Sequence, residues 1–268
     1  MSRGEYLLDN RAAEAGRRFE ALSALFDRST FRHLDDLGIA PGWRVWEVGA
    51  GGASVPRWLA GRVGAGGRVV ATDIDVSWTE SAAVDGVEVQ RHDVALDPPP
   101  EAGPGGFDLV HARLVLLHVV ERERALGAMV GALRPGGWLL VEDADPALQP
   151  RSCPDQRGPD EELANRLRDG FRALMRERGV DLAYGRTLPR LLRAAGLTDV
   201  GADAYFPLAH PACAALEAAT IQLIRGQLLD HGIASDEEID RHLASVAAGR
   251  LDLAQPPMIS AWGRRPPA

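Results

Sequence analysis

The feature that most constrains this chain is the junction Val45-Trp46-Glu47-Val48-Gly49-Ala50-Gly51-Gly52, where a short apolar strand runs into a glycine turn. A helical segment, Ser54 to Val63, follows at once. Glycines at such a turn let the backbone bend sharply and approach a ligand closely, because no Cβ intervenes. The pattern then repeats. Strands are expected at Trp43–Val48, Arg68–Thr72, Val87–Arg91, Phe107–Ala112 and Trp138–Glu142, with a helix over Glu121–Leu133 and turns at Gly64–Gly67 and Arg134-Pro135-Gly136-Gly137. Strands alternating with helices at this spacing imply right-handed βαβ units, hence an α/β fold built on a parallel sheet with helices on both faces.

The flanking segments read differently. Residues Glu5 to Leu37 are helical, with Phe19, Leu22, Leu25 and Phe26 at three-to-four spacing. Beyond Asp145 comes a Pro-rich linker, then an amphipathic charged helix over Asp160–Arg178, a short helix Leu188–Ala195 closed by Gly196, and a strand Val200–Leu208. Helices over Cys213–Leu229 and Asp236–Ala248 precede a last strand, Met258–Arg264. The expected organisation is a helical cap over residues 1–37, a core over 38–145, and a region 146–268 that completes the sheet and inserts cap helices.

Composition narrows the chemistry. All 30 basic residues are Arg, which excludes a catalytic lysine, Schiff-base chemistry and a phosphate-binding P-loop lysine. The net charge of −8 disfavours a nucleic-acid binder, which carries a basic face. Cys153 and Cys213 are too few for a disulfide framework or a metal knuckle, and His210 and His231 lack metal-ligand spacing, so no metal is expected. Met1–Glu20 has no apolar run flanked as a targeting signal requires, and no stretch approaches the roughly 20 apolar residues of a membrane span; a cytoplasmic protein is expected.

Three acids sit at consecutive strand ends. Glu47, two residues before Gly49, would repel a pyrophosphate and suits a ligand carrying positive charge. Asp73 lies 24 residues after Gly49, near the spacing at which an acid accepts hydrogen bonds from ribose hydroxyls. Asp93 could take an adenine amino group, or simply close a turn. Ligands of open α/β sheets bind at this carboxyl edge.

Glu47-Val48-Gly49-Ala50-Gly51, Thr72-Asp73-Ile74-Asp75, His92-Asp93-Val94, Phe107-Asp108-Leu109-Val110 and Leu133-Arg134-Pro135-Gly136-Gly137, in that order, resemble the motifs of class I S-adenosylmethionine-dependent methyltransferases. Phe107–Val119 is similar to the region found in the ubiquinone- and menaquinone-type and bacterial natural-product enzymes. The resemblance covers roughly residues 40–145 and implies a Rossmann-like, seven-stranded, mostly parallel sheet whose last strand is antiparallel. It also implies S-adenosylmethionine as cofactor. Gly49, Ala50 and Gly51 would pass its methionine part, with Glu47 organising the loop. Asp73 would bind the ribose, Ile74 would pack on adenine, and Asp93 with the Val94 amide would hold the adenine edge. Ala53 departs from the pattern, standing where a third alternate glycine is usual, although Gly52 is beside it.

Methyl transfer needs positioning above all, because the sulfonium leaving group is already activated. A base matters when the nucleophile arrives protonated, and a phenol of pKa about 10 costs roughly 4 kcal/mol to ionise at pH 7. His111 and His118 are the candidate bases, against the alternative that each is structural. Arg113 could clamp a carboxylate or form a salt bridge. Tyr6 and Tyr184 could serve in a lid or pack. The acidic surface and extra helices suggest a small-molecule acceptor, with O-methylation in bacterial secondary metabolism as the expected setting; a homodimer is open. The rivals are the same cofactor-binding fold used for cyclisation, a nicotinamide-dependent oxidoreductase, and a partner-binding protein with a decayed site.

Overall fold

The computed structural model describes residues 13–267, which form two compact units. The first comprises Asp27–Ala144, Tyr184–Tyr205 and the chain from Met258 onward. It holds one sheet of seven strands: β1 (Arg44–Val48), β2 (Arg68–Asp73), β3 (Val87–Arg91), β4 (Phe107–Arg113), β5 (Leu133–Ala144), β6 (Thr198–Tyr205) and β7 (Met258–Arg264). The order is β3-β2-β1-β4-β5-β7-β6, and only the pairings of β7, with β5 and with β6, are antiparallel. This is the Rossmann-like sheet expected, with its antiparallel last strand.

The order explains where a ligand site can be. From β1 the chain steps outward through β2 and β3, then returns to lay β4 on the other side of β1. The carboxyl ends of β1 and β4 therefore flank the switch point, the crevice that open α/β sheets use for ligands.

Alternation along each strand sorts the two faces. Val45, Leu109 and Leu140 turn to one face and pack with Leu34, Val55, Leu59, Val63 and Val69. Leu34 belongs to helix α1 (Ala13–Asp36), and Val55, Leu59 and Val63 form the buried stripe of α2 (Ser54–Val63). A Leu→Ala change at Leu59, which is fully buried, would cost about 2–5 kcal/mol in lost transfer energy and cavity. On the opposite face Trp46 meets Phe107 and the edge of His92, and its indole Nε1 donates to Thr72 Oγ1 at 2.8 Å.

Two local features differ from expectation. Arg134-Pro135-Gly136-Gly137 is a bulge inside β5 rather than a turn before it, since Leu133 already pairs with Phe107 and the register then shifts. Gly137 is required there because a Cβ would stand 2.8 Å from the Phe107 carbonyl oxygen. A short helix, α3 (Ser77–Ser81), follows β2. The remaining helices of this unit are α4 (Arg122–Ala132) and α6 (Leu188–Ala194).

The second unit takes in the described part of Met1–Phe26, with Asp145–Ala183 and Phe206–Pro257. Its helices are α5 (Pro159–Glu177), α7 (Pro211–Leu223), α8 (Arg225–Asp230) and α9 (Asp236–Ala247). The single helix expected over Cys213–Leu229 breaks at Ile224, whose ψ of 9° leaves the helical range. Pro159 starts α5, with three acids in its first turn, and a Ser235–Glu238 capping box starts α9. At the centre of this unit Arg168 pairs with Glu217 at 2.8 Å, both buried, and Ser152 donates to the same carboxylate at 3.2 Å.

Candidate active site

The glycine turn at the end of β1 is held by its neighbours rather than by side chains of its own. Gly49 and Gly51 have φ of +65° and +54°, a region in which a Cβ is strained. A Cβ on Gly49 would also stand 2.3 Å from Val115 Cγ2. The Ala50 amide donates to the Thr72 carbonyl at 3.0 Å, and the Gly51 amide to Asp73 Oδ2 at 2.8 Å. Thr79 of α3 completes the brace, its hydroxyl donating to the Gly51 carbonyl at 3.0 Å.

Asp73 is thus already in use within the protein. Its second oxygen accepts the Asp75 amide at 3.0 Å. Burial pushes its carboxyl up from the ordinary aspartate range, and the amides of Asp75 and Gly51 pull it partly back. The next side chain, Ile74, is 54% exposed, unusual for an isoleucine in a folded core. At the end of β3, Asp93 closes a turn: Oδ1 accepts the Ala95 amide at 2.9 Å, and its own amide donates to Asp97 at 2.8 Å. Val94 is buried beside it.

Beneath the glycine turn runs a polar row that sequence reasoning did not anticipate. Glu47 faces its register partner His111, whose Nδ1 lies 2.6 Å from Glu47 Oε2. The other ring nitrogen, Nε2, is 3.3 Å from Glu142 Oε2. Glu142 also accepts from Thr30 Oγ1 at 2.5 Å and Ser260 Oγ at 2.6 Å, with His33 Nδ1 3.4 Å away. His33 reaches Asp203 at 2.8 Å through Nε2. Arg113 closes the row from β4, bonding Asp27 at 2.9 Å and the Thr30 oxygen at 3.0 Å.

Burial alone would discharge all of these groups. In His111 it is outweighed by the Glu47 and Glu142 carboxylates, which raise its pKa to about 9. In Glu142 it is outweighed by His111 and His33, which hold the carboxyl well below its usual range. His111 is therefore an imidazolium at neutral pH, fully buried, with both nitrogens taken. Such a group has no lone pair to receive a proton.

The other expected residues fall as follows. Arg113 forms a salt bridge with Asp27 at 2.9 Å. His118 ends a 3₁₀ turn over Leu116–His118 and is half-buried. Tyr184 is buried, with the Arg122 guanidinium 5.3 Å from its ring centre. Tyr6 lies outside the described residues. Directly after β4, Leu114 adopts φ +59°, a strained conformation for a branched residue, with its amide donating to the Glu142 carbonyl at 2.7 Å. Behind it Asp143 is fully buried, with Oδ2 3.3 Å from the Leu117 amide, and burial raises its carboxyl to about 8.

The missed residues had a faint signal. Glu142 directly follows the apolar run Leu139-Leu140-Val141, and Thr30 and His33 lie on the face of α1 that also carries Leu34. Among the described residues, no cluster of His, Cys, Asp and Glu is arranged to hold a metal ion.

A methyltransferase str3 of Strobilurus tenacellus is 35% identical over 94 residues, 34% of this chain and 31% of that protein. The chain spans about a third of the length of the curated relatives it matches. Among solved structures, the phosphoethanolamine N-methyltransferase 2 of Haemonchus contortus superposes with a TM-score of 0.58 at 13% identity, covering 100% of this chain and 62% of that one. The [4+2]-cyclase SpnF superposes with a TM-score of 0.52 at 19% identity, covering 90% and 85%. At such identities the likeness is one of fold. The profile of the methyltransferase domain family matches residues 8–202. The chain belongs to the methyltransferase domain family.

Proposed function

We propose that the chain is an S-adenosylmethionine-dependent methyltransferase acting on a small molecule. The observation that carries this reading is the Gly51–Asp73 hydrogen bond at the switch point, beside an exposed Ile74. It joins a turn open to close backbone approach, an acid able to accept from ribose, and an apolar surface for a base. The cofactor supplies a methyl group on a sulfonium, already activated for displacement. The residues that would hold it are Gly49, Ala50 and Gly51 along its methionine part, Asp73 at the ribose, and Ile74, Asp93 and Val94 at the adenine. Glu47 beneath the turn suits a cationic ligand and disfavours a pyrophosphate.

In this reading the protein's contribution is alignment, with removal of a proton only where the acceptor arrives protonated. With His111 sealed, that proton passes to His118. The acceptor is a small molecule methylated on oxygen, and the Ala-, Gly- and Arg-rich composition suits a bacterial secondary pathway. A cytoplasmic setting belongs to the same proposal, as do a homodimer and a site that takes no nucleic acid. Among the described residues, no helix is long and apolar enough to cross a membrane.

Calorimetric titration of the full chain with S-adenosylhomocysteine, and separately with NAD, tests the cofactor. Micromolar binding of the first and none of the second is the expected result; the reverse would replace this reading by a dehydrogenase. The fold likeness to a cyclase gives a second reading, catalysis without methyl transfer. Release of S-adenosylhomocysteine in step with acceptor consumption would exclude it.

A further inference from the structure

We propose that His111 is a positioning residue for cofactor binding, a cationic bridge that aims the Glu47 carboxylate at the ligand from beneath the glycine turn. The inference rests on the S-adenosylmethionine reading above. Its basis is the arrangement of Glu47. Oε2 is fixed by His111 Nδ1 at 2.6 Å, whereas among the described residues Oε1 of this buried side chain accepts no hydrogen bond. One oxygen is anchored and the other is left over, two residues before Gly49. A carboxylate with one oxygen pinned by an imidazolium keeps a fixed orientation at small conformational cost, which is how a site is preorganised for a cation.

The far side of the bridge shows why a histidine is needed. His111 Nε2 faces Glu142, which Thr30 and Ser260 already hold in place. Two buried carboxylates on either side of one ring require a cation between them, and a neutral residue would leave one of the acids to take up a proton. The charged groups around the bridge are Glu47 from β1, Arg113 from β4, Glu142 from β5, Asp27 and His33 from α1, and Asp203 from β6 through His33. Loss of the His111 proton leaves a neutral ring with a single N–H between two carboxylates, so the hold on Glu47 loses its charge and one of the two hydrogen bonds is lost. Cofactor affinity should therefore fall as pH rises through the imidazolium range of His111.

The test is the affinity of the full chain for S-adenosylhomocysteine from pH 6.5 to 9.5, in the wild type and in His111→Gln, Glu142→Gln and Leu34→Ala. Wild-type affinity is expected to fall at least tenfold across the alkaline end. In His111→Gln it is expected to be at least tenfold weaker at pH 7 and flat with pH. Glu142→Gln keeps a partner for Thr30 and Ser260 but removes one charge holding the proton on His111, so its alkaline fall should begin at lower pH. Leu34→Ala, in the apolar cluster on the same face, controls for destabilisation alone and should bind as wild type does while folded. A pH-independent wild type, or folded His111→Gln within twofold of wild type at pH 7, overturns the proposal. Should His111→Gln fail to fold, the wild-type profile and the Glu142→Gln shift decide it. A wild type that binds no S-adenosylhomocysteine at any pH overturns the cofactor reading, and this proposal with it, whereas the other failures leave that reading standing.

Discussion

Val115 Cγ2 occupies the space in which a side chain on Gly49 would begin, 2.3 Å from the ideal Cβ position. The two residues belong to loops that leave adjacent strands, β1 and β4, at the switch point of the sheet. Val115 thus closes the space beside the glycine turn from the loop that carries His118.

Gly49→Ala should therefore damage the site twice. It places a Cβ at φ +65°, a strain of about 1–2 kcal/mol, and displaces Val115 besides. We expect S-adenosylhomocysteine affinity to fall at least tenfold, with a lower melting temperature. Val115→Ala should restore part of the loss by making room for the new methyl. Calorimetry on the single and double variants checks this, and affinity unchanged in Gly49→Ala would remove the turn from the site.

Asp73→Ala removes an acceptor shared between the turn and the ligand. The Gly51 and Asp75 amides lose their partner, and the ribose hydroxyls lose a charge-assisted bond of roughly 1.5–3 kcal/mol. Binding of S-adenosylhomocysteine should weaken by one to two orders of magnitude. Asp73→Asn, which keeps one oxygen, should fall between the two. Equal affinity in wild type and Asp73→Ala would sink the assignment of the ribose site.

The strand ends were legible in the sequence because their signals are local. The glycine turn, the acid closing β2 and the strand Met258–Arg264 each depend on a few neighbouring residues, and each stands where the pattern placed it. The break at Ile224 was not legible, since residues on both sides favour helix and only packing ends it. The polar row was hidden for a related reason. Thr30 and Glu142 are 112 positions apart, and Glu47 and His111 are 64 apart. A histidine at a strand end looks the same whether its neighbours in space are water and substrate or two carboxylates. The sequence pattern marks the position of His111, and the sheet register decides its charge.

Within the helical unit, Arg168 and Glu217 form a buried pair that tests a separate part of the fold. Glu217 is held down to about 2, chiefly by Arg168, with His242 3.2 Å from the same carboxylate. Removing one partner leaves a charge buried without compensation, at about 3–5 kcal/mol. Arg168→Met should lower unfolding stability by that order, and Arg168→Met with Glu217→Leu should recover most of it. Equal losses in the single and double variants, measured by urea unfolding, would show that the pair is not coupled.

Stability should also depend on pH through His111. Its folded pKa, about 9, lies above the ordinary histidine value near 6.5. The folded state therefore holds a proton that the unfolded chain releases, and the resulting stabilisation is full below about pH 6.5 and lost as pH rises through about 9. The difference corresponds to roughly 3 kcal/mol at 1.36 kcal/mol per unit. Asp143, raised to about 8, acts in the same direction but at lower pH, since its stabilisation is lost between about 4 and 8. Glu142 acts oppositely: its pKa is lowered, so its contribution is present above about pH 4.5 and lost only on acidification. From about pH 8 to 9 the last of the Asp143 contribution and those of His33 and of the buried Cys153 and Cys213 thiols run in the same direction, so the His111 part is the difference between wild type and His111→Gln. Urea midpoints should fall with rising pH across this interval in the wild type, and more shallowly in His111→Gln. A wild-type midpoint constant over that interval would mean that His111 is neutral in the folded protein.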